Sequence, residues 1–322
     1  MIEAINGEEA ARLFVESLPR RASGGLGRGS LASARGAHGA GQTRGIELLA
    51  ELARQFSEFP YENISKILKV AEAPTLAAAM RLPTEVVSDH IDRHFGGTCF
   101  SLTFLFERLL SHFGFDCYKV MAHMNSGPNV HCLIVVREAG AKYMVDPGYA
   151  LYEVIRLPER GRSRSRLPHA AVEVANSERG LSGGPVPAAP FPTYSVWTED
   201  ASGRKWRYRF SDSPTTDAEF EAHWLESFAK PTLNNICLTR MTPRGHIYLR
   251  KDYFKFTSPT AVEKRRLAGG REHLIEQEFG ISAEWVEAAQ QVLDARRAAG
   301  ARNPSRVGPA KAGRPEEGPW LR

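Results

Sequence analysis

The sequence contains little cysteine and no long hydrophobic run. It has four cysteines: Cys99, Cys117, Cys132 and Cys237. They show no C-x-x-C spacing and are too few for a disulfide scaffold in a chain of 322 residues, so we expect reduced thiols. No apolar stretch approaches the ~20 residues of a membrane-spanning helix. Residues Met1–Gly7 carry Glu3 and lack the basic and apolar regions of a secretory signal. These absences predict a cytoplasmic protein without a membrane partner.

An organised basic surface is also missing, although the formal net charge is +5. Many arginines lie in stretches rich in Gly, Ser, Ala or Pro, among them Arg160–Arg166 and Arg296–Arg322. Such stretches are typical of solvated loops and tails rather than of a basic face interleaved with aromatic residues. Nucleic acid is therefore not expected as a partner, whereas a modest positive field would attract a small ligand that carries phosphate.

Apolar residues recur at helical spacing in the first third of the chain. Helices are predicted at Glu8–Leu18, Ile46–Phe56, Thr84–Phe95 and Phe100–Phe113. Between the first two, Ala22–Thr43 is a low-complexity stretch of Gly, Ser and Ala, which predicts a flexible arm. The first third is therefore expected to be helical.

The character of the sequence changes at Cys117, where β-branched and apolar runs begin to predict strands. Strands are predicted at Tyr118–Met124, Val130–Val136, Lys142–Val145, Tyr194–Thr198, Lys205–Phe210, Ile236–Met241 and His246–Leu249. Further helices are predicted at Thr216–Phe228, Thr260–Leu267, Arg271–Phe279 and Ala283–Ala299. Leu157–Pro192 is expected to be mostly loop, and the chain from Gly300 onward a tail.

Cys99 is the best candidate for a reactive thiol. It follows Gly96–Thr98 and directly precedes a predicted helix. At a helix start, unsatisfied N–H groups and the helix dipole lower a thiol pKa from ~8.5 into the range of about 3.5–7.5, particularly beside an imidazolium. The thiolate is the nucleophilic form, so position favours Cys99. The other three cysteines are expected to be small buried hydrophobic residues.

A thiolate nucleophile needs a base, and the base needs a group that orients it. His131 opens one predicted strand and Asp146 closes the next, and in a hairpin that turns about Ala139 these two residues lie nearly opposite each other. Taken alone, Asp146 also suits a turn and His131 a polar strand end. Together with Cys99, they predict a catalytic Cys-His-Asp set.

A rival cluster lies in the predicted helix before Cys99. His90 and His94 have the i, i+4 spacing of two metal ligands on one helix face. The motif is not H-E-x-x-H, because Ile91 stands where that motif has glutamate. A solvated helix end is the favoured interpretation, and no metal is predicted.

With these residues in place, the chain resembles the arylamine N-acetyltransferases. Phe59–Asn63 is similar to the P-F-E-N segment of that family, and Gly96–Phe100 resembles its R-G-G-x-C nucleophile loop. Ser126–His131 resembles the loop that leads into the family's histidine strand, and Tyr143–Gly148 matches its aspartate segment. The similarity covers roughly Ile46–Gln290.

The resemblance implies an α+β fold. It would have an N-terminal helical bundle, a central β-barrel and a C-terminal α/β lid, around a Cys-His-Asp core shared with papain-like and transglutaminase enzymes. The expected segments are an N-terminal helix with the flexible arm (1–45), a helical domain that carries the nucleophile (46–117), a barrel domain that carries histidine and aspartate (118–215), the lid (216–299) and a disordered tail (300–322).

The resemblance also implies an activity. Acetyl-coenzyme A would acylate Cys99, with His131 and Asp146 as its partners, and an amine, hydrazine or hydroxylamine would then accept the acyl group in a ping-pong cycle. Ser126 and Gly127 match the loop whose backbone contacts coenzyme A phosphates in relatives. The partners would be these two small molecules, with no metal cofactor.

Three positions depart from the family pattern. Phe95 replaces the arginine before the Gly-Gly pair, and Ser101 and Thr103 replace a Glu or Gln and an Asn after the cysteine. In relatives that arginine pairs with the glutamate of P-F-E-N, so Glu62 needs another partner. We predict Arg93 for this role, because a buried unpaired carboxylate is costly.

Two further functions stay open on the same residues. An amide synthase or thiol hydrolase would keep the Cys-His-Asp set and use a different thioester or acceptor. A non-catalytic binding protein would keep only the fold, which the intact Cys99, His131 and Asp146 argue against.

Overall fold

The structure is a computed structural model, and it describes Ile2, Ile5 and residues 7–18, 42–167, 169–176, 191–230 and 234–301. Of the predicted flexible arm, 22–41 lies outside these ranges, and residues 42 and 43 already belong to a helix. Of the predicted disordered tail, 302–322 lies outside, and residues 300 and 301 continue the last helix.

The first part of the described chain is helical, as predicted. Its helices are α1 (Glu8–Ser17), α2 (Gln42–Phe56), α3 (Ile64–Glu72), α4 (Pro83–Arg93) and α5 (Cys99–His112). Helix α4 ends two residues before the predicted end, because His94 adopts the left-handed conformation (φ 57°) that closes a helix. Helix α3 was not predicted. Within the described ranges, no helix is long and apolar enough to cross a bilayer.

Helix α5 is buried on every side, which explains its continuous apolar sequence. Eleven of its fourteen residues are buried, so it is a core helix rather than an amphipathic surface helix. Phe100 and Phe104 pack into one hydrophobic cluster. Leu102, Leu105 and Phe106 pack into a second cluster with α1 and α2. The helix that begins at Cys99 is therefore held rigidly.

Eight antiparallel strands form a nearly closed barrel. They are β2 (Asp116–Met124), β3 (Gly127–Glu138), β4 (Ala141–Asp146), β5 (Leu151–Arg156), β6 (Arg162–Arg166), β7 (Ala171–Asn176), β8 (Thr193–Asp200) and β9 (Gly203–Ser211), after a short β1 (Tyr61–Glu62). Their order is β5-β4-β3-β2-β9-β8-β7-β6. The hydroxyl of Ser163 donates to the Arg156 carbonyl at 2.9 Å, which brings the two edge strands together. Alternate side chains such as Val120, Val135 and Tyr208 fill the interior.

The prediction that Leu157–Pro192 is mostly loop is wrong where β6 and β7 lie. The charged sequence of β6 hides its strand character, since its three arginines are exposed and its serines are half-buried. In β7, Val172 and Val174 point into the barrel. Pairing of β6 with β7, and of β7 with β8, supplies the stabilisation that the local composition does not indicate.

A second antiparallel sheet lies in the C-terminal part, in the order β1-β10-β11-β12-β13. Its later strands are β10 (Cys237–Thr242), β11 (Gly245–Arg250), β12 (Tyr253–Thr257) and β13 (Val262–Arg266), and its helices are α6 (Asp217–Glu226), α7 (Arg271–Phe279) and α8 (Ala283–Ala301). The helix predicted at Thr260–Leu267 is wrong, because β13 pairs with β12 along its length. The exposed Glu263–Arg266 run suits an edge strand, where charge prevents pairing with other chains.

Candidate active site

Cys99 is the first residue of α5, as the glycines before it predict. Thr98, at the N-cap, is extended and makes no side-chain cap hydrogen bond to the described helix. The N–H groups of the first turn therefore remain available to a negative charge on the thiol or on a bound substrate. Cys99 is 9% exposed, and its sulfur lies 3.9 Å from the Val130 carbonyl oxygen. The nucleophile candidate is thus almost enclosed between α5 and β3.

His131 and Asp146 lie together beside Cys99. The Nε2 atom of His131 is 2.8 Å from Asp146 Oδ2, and the carboxylate is fully buried. The same carboxylate accepts hydrogen bonds from the Tyr208 hydroxyl (2.5 Å) and the Tyr149 amide (3.0 Å). Because Nε2 is engaged, the other ring nitrogen of His131 is left for the thiol, with which the imidazole interacts. The structure therefore brings together all three residues of the predicted set.

The hairpin that joins His131 to Asp146 turns differently from the prediction. Ala139 (φ 53°) and Gly140 (φ 74°) together form a two-residue turn with two positive φ angles. Ile134 then pairs with Val145, which makes Asp146 a diagonal neighbour of His131, offset by two residues. An offset of two keeps both side chains on one face, whereas a turn about Ala139 alone would have put them on opposite faces.

Gly148 is the residue that allows Cys99 and His131 to approach each other. A Cβ atom at this position would lie 2.5 Å from Cys99 Cβ and 3.2 Å from His131 Cε1. Both distances are too short for ordinary packing. The Cβ atom of Cys99 cannot shift easily, because it belongs to the buried start of α5. Position 148 therefore requires glycine, because a larger residue would occupy the space between Cys99 and His131.

Replacing Gly148 by alanine is expected to separate the thiol from the imidazole. We expect alkylation of Cys99 by iodoacetamide at neutral pH to slow by about tenfold or more, because a misplaced imidazole no longer stabilises the thiolate. The rate of alkylation under pseudo-first-order conditions measures this. Gly269→Ala is the matched control, since no atom lies within 4 Å of a Cβ there. Equal rates in the two variants would contradict the role of Gly148.

The charges of the site favour a thiolate–imidazolium pair. The pKa of Cys99 is lowered well below its ordinary value by its interaction with the Cys132 thiol and, against the effect of burial, by His131 and Lys66. Burial lowers the pKa of His131, but Asp146 and Cys99 outweigh this effect and raise that pKa to about 10. A thiolate–imidazolium pair is therefore favoured at neutral pH and is lost on acidification, when the thiolate takes up a proton.

Lys66 is a buried cation that sequence reasoning missed, because helix α3 was not predicted. It is 6% exposed, donates to the Ser227 hydroxyl at 2.7 Å and lies 4.1 Å from the centre of the Phe228 ring. No carboxylate among the described residues forms an ion pair with it. Burial lowers its pKa to about 8, and the negative charge of Cys99 acts against that shift. The positive charge of Lys66 thus stabilises the thiolate form of Cys99.

Replacing Lys66 by methionine is expected to raise the pKa of Cys99, because a positive charge near the thiolate is removed. An upward shift of about one unit would lower the alkylation rate about tenfold on the acidic limb of the profile. The pH dependence of Cys99 alkylation measures it. Lys69→Met is the matched control on the same helix, because Lys69 is bound to Glu85 and the Met80 carbonyl instead. An unshifted profile for Lys66→Met would contradict this assignment.

The partner of Glu62 is Arg81, and the prediction of Arg93 is wrong. Glu62 is fully buried, accepts from Ser65 and lies 3.7 Å from the Arg81 guanidinium. Arg93 instead pairs with Asp89 at 3.1 Å. Burial raises the pKa of Glu62, and Arg81 opposes that rise. Arg81 lies outside both the Phe59–Asn63 segment and the Gly96–Phe100 loop that it joins. No local sequence pattern therefore indicated it as the partner of Glu62.

Arg81 also holds the loop before the nucleophile. Its guanidinium donates to the Gly96 carbonyl at 2.6 Å and lies 2.8 Å from Asp89. Phe95, the residue before the Gly-Gly pair, is 2% exposed and packs edge-on against Trp285 at 5.9 Å. Arg81, which lies outside the nucleophile loop, thus supplies the positive charge beside Glu62, and Phe95 supplies apolar packing.

The loop predicted to contact coenzyme A connects β2 and β3. Gly127 has a φ of 139° and pairs with Met124, and the chain there borders a cleft of about 830 Å³. The cleft is lined by His123, Met124, Asn125, Gly127, Pro128, Ser195, Trp206 and Arg209. Ser126 lies within this loop but does not line the cleft. Polar, aromatic and cationic side chains thus face one another across an open space beside the histidine strand.

His90 and His94 are held by contacts of the helix end. The His90 Nδ1 atom lies 2.9 Å from the Phe95 carbonyl oxygen, and its ring stacks on Phe59 at 3.9 Å. Burial lowers the pKa of His90 to about 4. In the described part of the chain, no three His, Cys, Asp or Glu side chains are grouped closely enough to hold a metal ion.

The fold and the thiol–imidazole–carboxylate cluster are typical of enzymes that use a cysteine nucleophile. Residues 45–288 match the sequence profile of the N-acetyltransferases. The chain belongs to the arylamine N-acetyltransferase family and is an acyltransferase.

Solved structures of this family share the fold. The arylamine N-acetyltransferase of Mycobacterium abscessus is 18% identical with a TM-score of 0.64, over 77% of this chain and 88% of that one. The Nocardia farcinica enzyme is 17% identical with a TM-score of 0.64, over 82% and 94%. A Bacillus cereus enzyme, described with a Cys-His-Glu catalytic triad, is 14% identical with a TM-score of 0.56, over 74% and 91%. No curated protein sequence matches this chain significantly.

Proposed function

We propose that this enzyme transfers an acetyl or short acyl group from acetyl-coenzyme A to an arylamine, hydrazine or arylhydroxylamine by a ping-pong mechanism. Cys99 would carry the acyl group, with His131 as acid and base and Asp146 as the group that orients His131. The observation that carries the proposal is that Cys99, at the start of α5, and His131 both border Gly148, and that Nε2 of His131 lies 2.8 Å from Asp146.

In the first half-reaction the Cys99 thiolate attacks the thioester carbonyl. The oxyanion that develops would be stabilised by N–H groups at the uncapped start of α5. Collapse of the tetrahedral intermediate breaks the bond to the coenzyme A sulfur, and the imidazolium of His131 donates its proton to that leaving group. The products are acyl-Cys99 and a neutral His131, which the buried Asp146 keeps in one orientation.

In the second half-reaction the acceptor amine attacks the acyl carbonyl. Neutral His131 takes a proton from the attacking nitrogen, and collapse expels the Cys99 thiolate. The thiolate–imidazolium pair is thereby restored. Exclusion of water matters here, because an acyl-enzyme that is open to solvent hydrolyses; Cys99 is only 9% exposed.

For the donor, we propose the cleft beside the β2–β3 loop. Ser126 and Gly127 would present backbone N–H groups to coenzyme A phosphates. Arg209 would add positive charge, and Trp206 a flat surface for an adenine ring. The support is that Gly127, Trp206 and Arg209 line the same cleft of about 830 Å³. The domain boundaries at 46, 118 and 216 and the cytoplasmic location stay predictions.

Intact mass spectrometry tests the acyl carrier. The protein is mixed with acetyl-coenzyme A in the absence of an amine, beside Cys99→Ala and Cys117→Ala. We expect one acetyl increment on the wild type and on Cys117→Ala, and none on Cys99→Ala. Addition of an arylamine should remove the increment and yield the acetylated amine.

Two outcomes would contradict the proposal. If Cys99 reacts with iodoacetamide but gains no acetyl, propionyl or malonyl group from coenzyme A, the thioester is a different one and the hydrolase or amide synthase alternative gains support. If Cys99 reacts with neither, the fold serves as a binding protein.

A further inference from the structure

Cys132 lies in the same buried cluster as the nucleophile. It follows His131 on β3, and because neighbouring residues of a strand point to opposite faces, its thiol points away from Asp146. It is fully buried in the hydrophobic cluster that also contains Cys99 and Phe100. The two thiols therefore share one buried cluster, in which each affects the pKa of the other. The prediction of a small buried residue is therefore incomplete, because this thiol has a reactive neighbour.

The two cysteines are held together by rigid elements. One turn after Cys99 on α5, the Thr103 hydroxyl donates to the Cys132 carbonyl at 3.2 Å. The Cys99 sulfur itself lies 3.9 Å from the Val130 carbonyl. The first turn of α5 is thus attached to residues 130–132 of β3 at two points. Cys99 and Cys132 are therefore held on two elements that pack against each other in the folded state.

We propose that Cys99 and Cys132 form a reversible disulfide when a hydroperoxide oxidises the enzyme. The inference rests on the proposed role of Cys99 as a thiolate nucleophile. It assigns to Cys132 the role of resolving thiol. The modification would block the acyl carrier and protect it from irreversible oxidation.

The chemistry takes two steps. First, the Cys99 thiolate attacks the peroxide, the O–O bond breaks, and an alcohol or water leaves after protonation, so that Cys99 becomes a sulfenic acid. Second, the Cys132 sulfur attacks the Cys99 sulfur, the S–O bond breaks, and the hydroxyl leaves as water with the Cys132 proton. Two thiols and one hydroperoxide therefore yield one disulfide, one alcohol or water, and one water. A dithiol reverses the result by exchange.

The remaining cysteines differ in reactivity. Burial raises the pKa of Cys117 to about 12 and that of Cys237 to about 11, so both stay protonated at neutral pH. Burial and the negative charge of Cys99 likewise keep Cys132 protonated until Cys99 is oxidised. Oxidation is therefore directed to Cys99 first, and Cys132 follows because it is adjacent.

The test treats the full-length protein with hydrogen peroxide and then alkylates free thiols under denaturing conditions. We expect the wild type to lose the mass of two hydrogens, to have two fewer alkylated cysteines and to give a linked Cys99–Cys132 peptide. Dithiothreitol should restore both thiols and the reactivity of Cys99. Cys117→Ala is the matched control and should behave like the wild type.

Cys132→Ala and the more conservative Cys132→Ser should form no such link, and Cys99 should instead gain two or three oxygens that dithiothreitol does not remove. Direct formation of those products in the wild type, with Cys132 still free to alkylate, would overturn the proposal. Because no acyl donor is used, this result is independent of whether acetyl-coenzyme A proves to be the substrate.

Discussion

Replacing Asp146 by asparagine is expected to lower the rate of acyl transfer by about 10³–10⁴-fold. The carboxylate fixes Nε2 of His131 and is the main positive influence on its pKa. A neutral amide no longer stabilises the positive charge of the His131 imidazolium. It also presents either an N–H donor or a weaker acceptor to Nε2 of the ring. The fold should survive, because the amide oxygen can still accept from the Tyr149 N–H.

Single-turnover acylation of Cys99 and the pH profile of its alkylation measure this effect together. The alkylation midpoint should rise, because the imidazolium that lowers the pKa of Cys99 is less populated. Asp200→Asn is the control: Asp200 is a half-buried acid that pairs with Lys255 at 2.9 Å and makes no hydrogen bond or ion pair with Cys99, His131 or Asp146. Acylation at the wild-type rate in Asp146→Asn would exclude Asp146 from the mechanism.

Replacing Arg81 by methionine is expected to lower the free energy of unfolding by about 3–5 kcal/mol. The change leaves Glu62 in the interior without its cation and releases the Gly96 carbonyl from its 2.6 Å hydrogen bond. Urea denaturation measures the loss. Arg93→Met is the matched control, because the Arg93 side chain is 44% exposed and its pair with Asp89 should contribute no more than about 1 kcal/mol.

The pH dependence identifies Glu62 as the cause. Burial already raises the pKa of Glu62 in the folded state, and loss of Arg81 removes the main opposing influence. A carboxyl group whose pKa is higher in the folded than in the unfolded protein destabilises the fold when the pH is high enough to ionise it. At a pH below its pKa in the unfolded chain, this cost is absent. The loss of stability in Arg81→Met should therefore become smaller on acidification. The double variant Arg81→Met, Glu62→Gln should recover part of the stability at neutral pH. A defect that is independent of pH and of Glu62 would contradict this explanation.

Sequence patterns predicted the elements whose stability is local. The helix that begins at Cys99 has an apolar run after two glycines, and β-branched and apolar runs lie on both sides of the turn at Ala139–Gly140. Strands β6 and β13 escaped prediction because their residues are charged. They are stabilised by pairing with neighbouring strands, which local composition does not report.

The place of Cys99 at a helix start, and of His131 and Asp146 on one hairpin, was predicted from the sequence itself. A cysteine after Gly-Gly-Thr at a helix start, and a histidine and an aspartate at the same end of one hairpin, are arrangements of near neighbours in the chain. Helix and hairpin rules predict these local placements, whereas the two-residue turn that puts His131 and Asp146 on one face was found only in the structure.

Only the tertiary structure decided what surrounds these residues. Arg81, rather than Arg93, lies beside Glu62; Lys66 adds a positive charge near Cys99; and Cys132 places a second thiol in the buried cluster that contains the nucleophile. Each contact joins segments whose sequences carry no information about each other. The physical reason is that a buried charge or thiol takes the partner that packing brings to it, and packing of α3, α5 and β3 is a property of the whole fold.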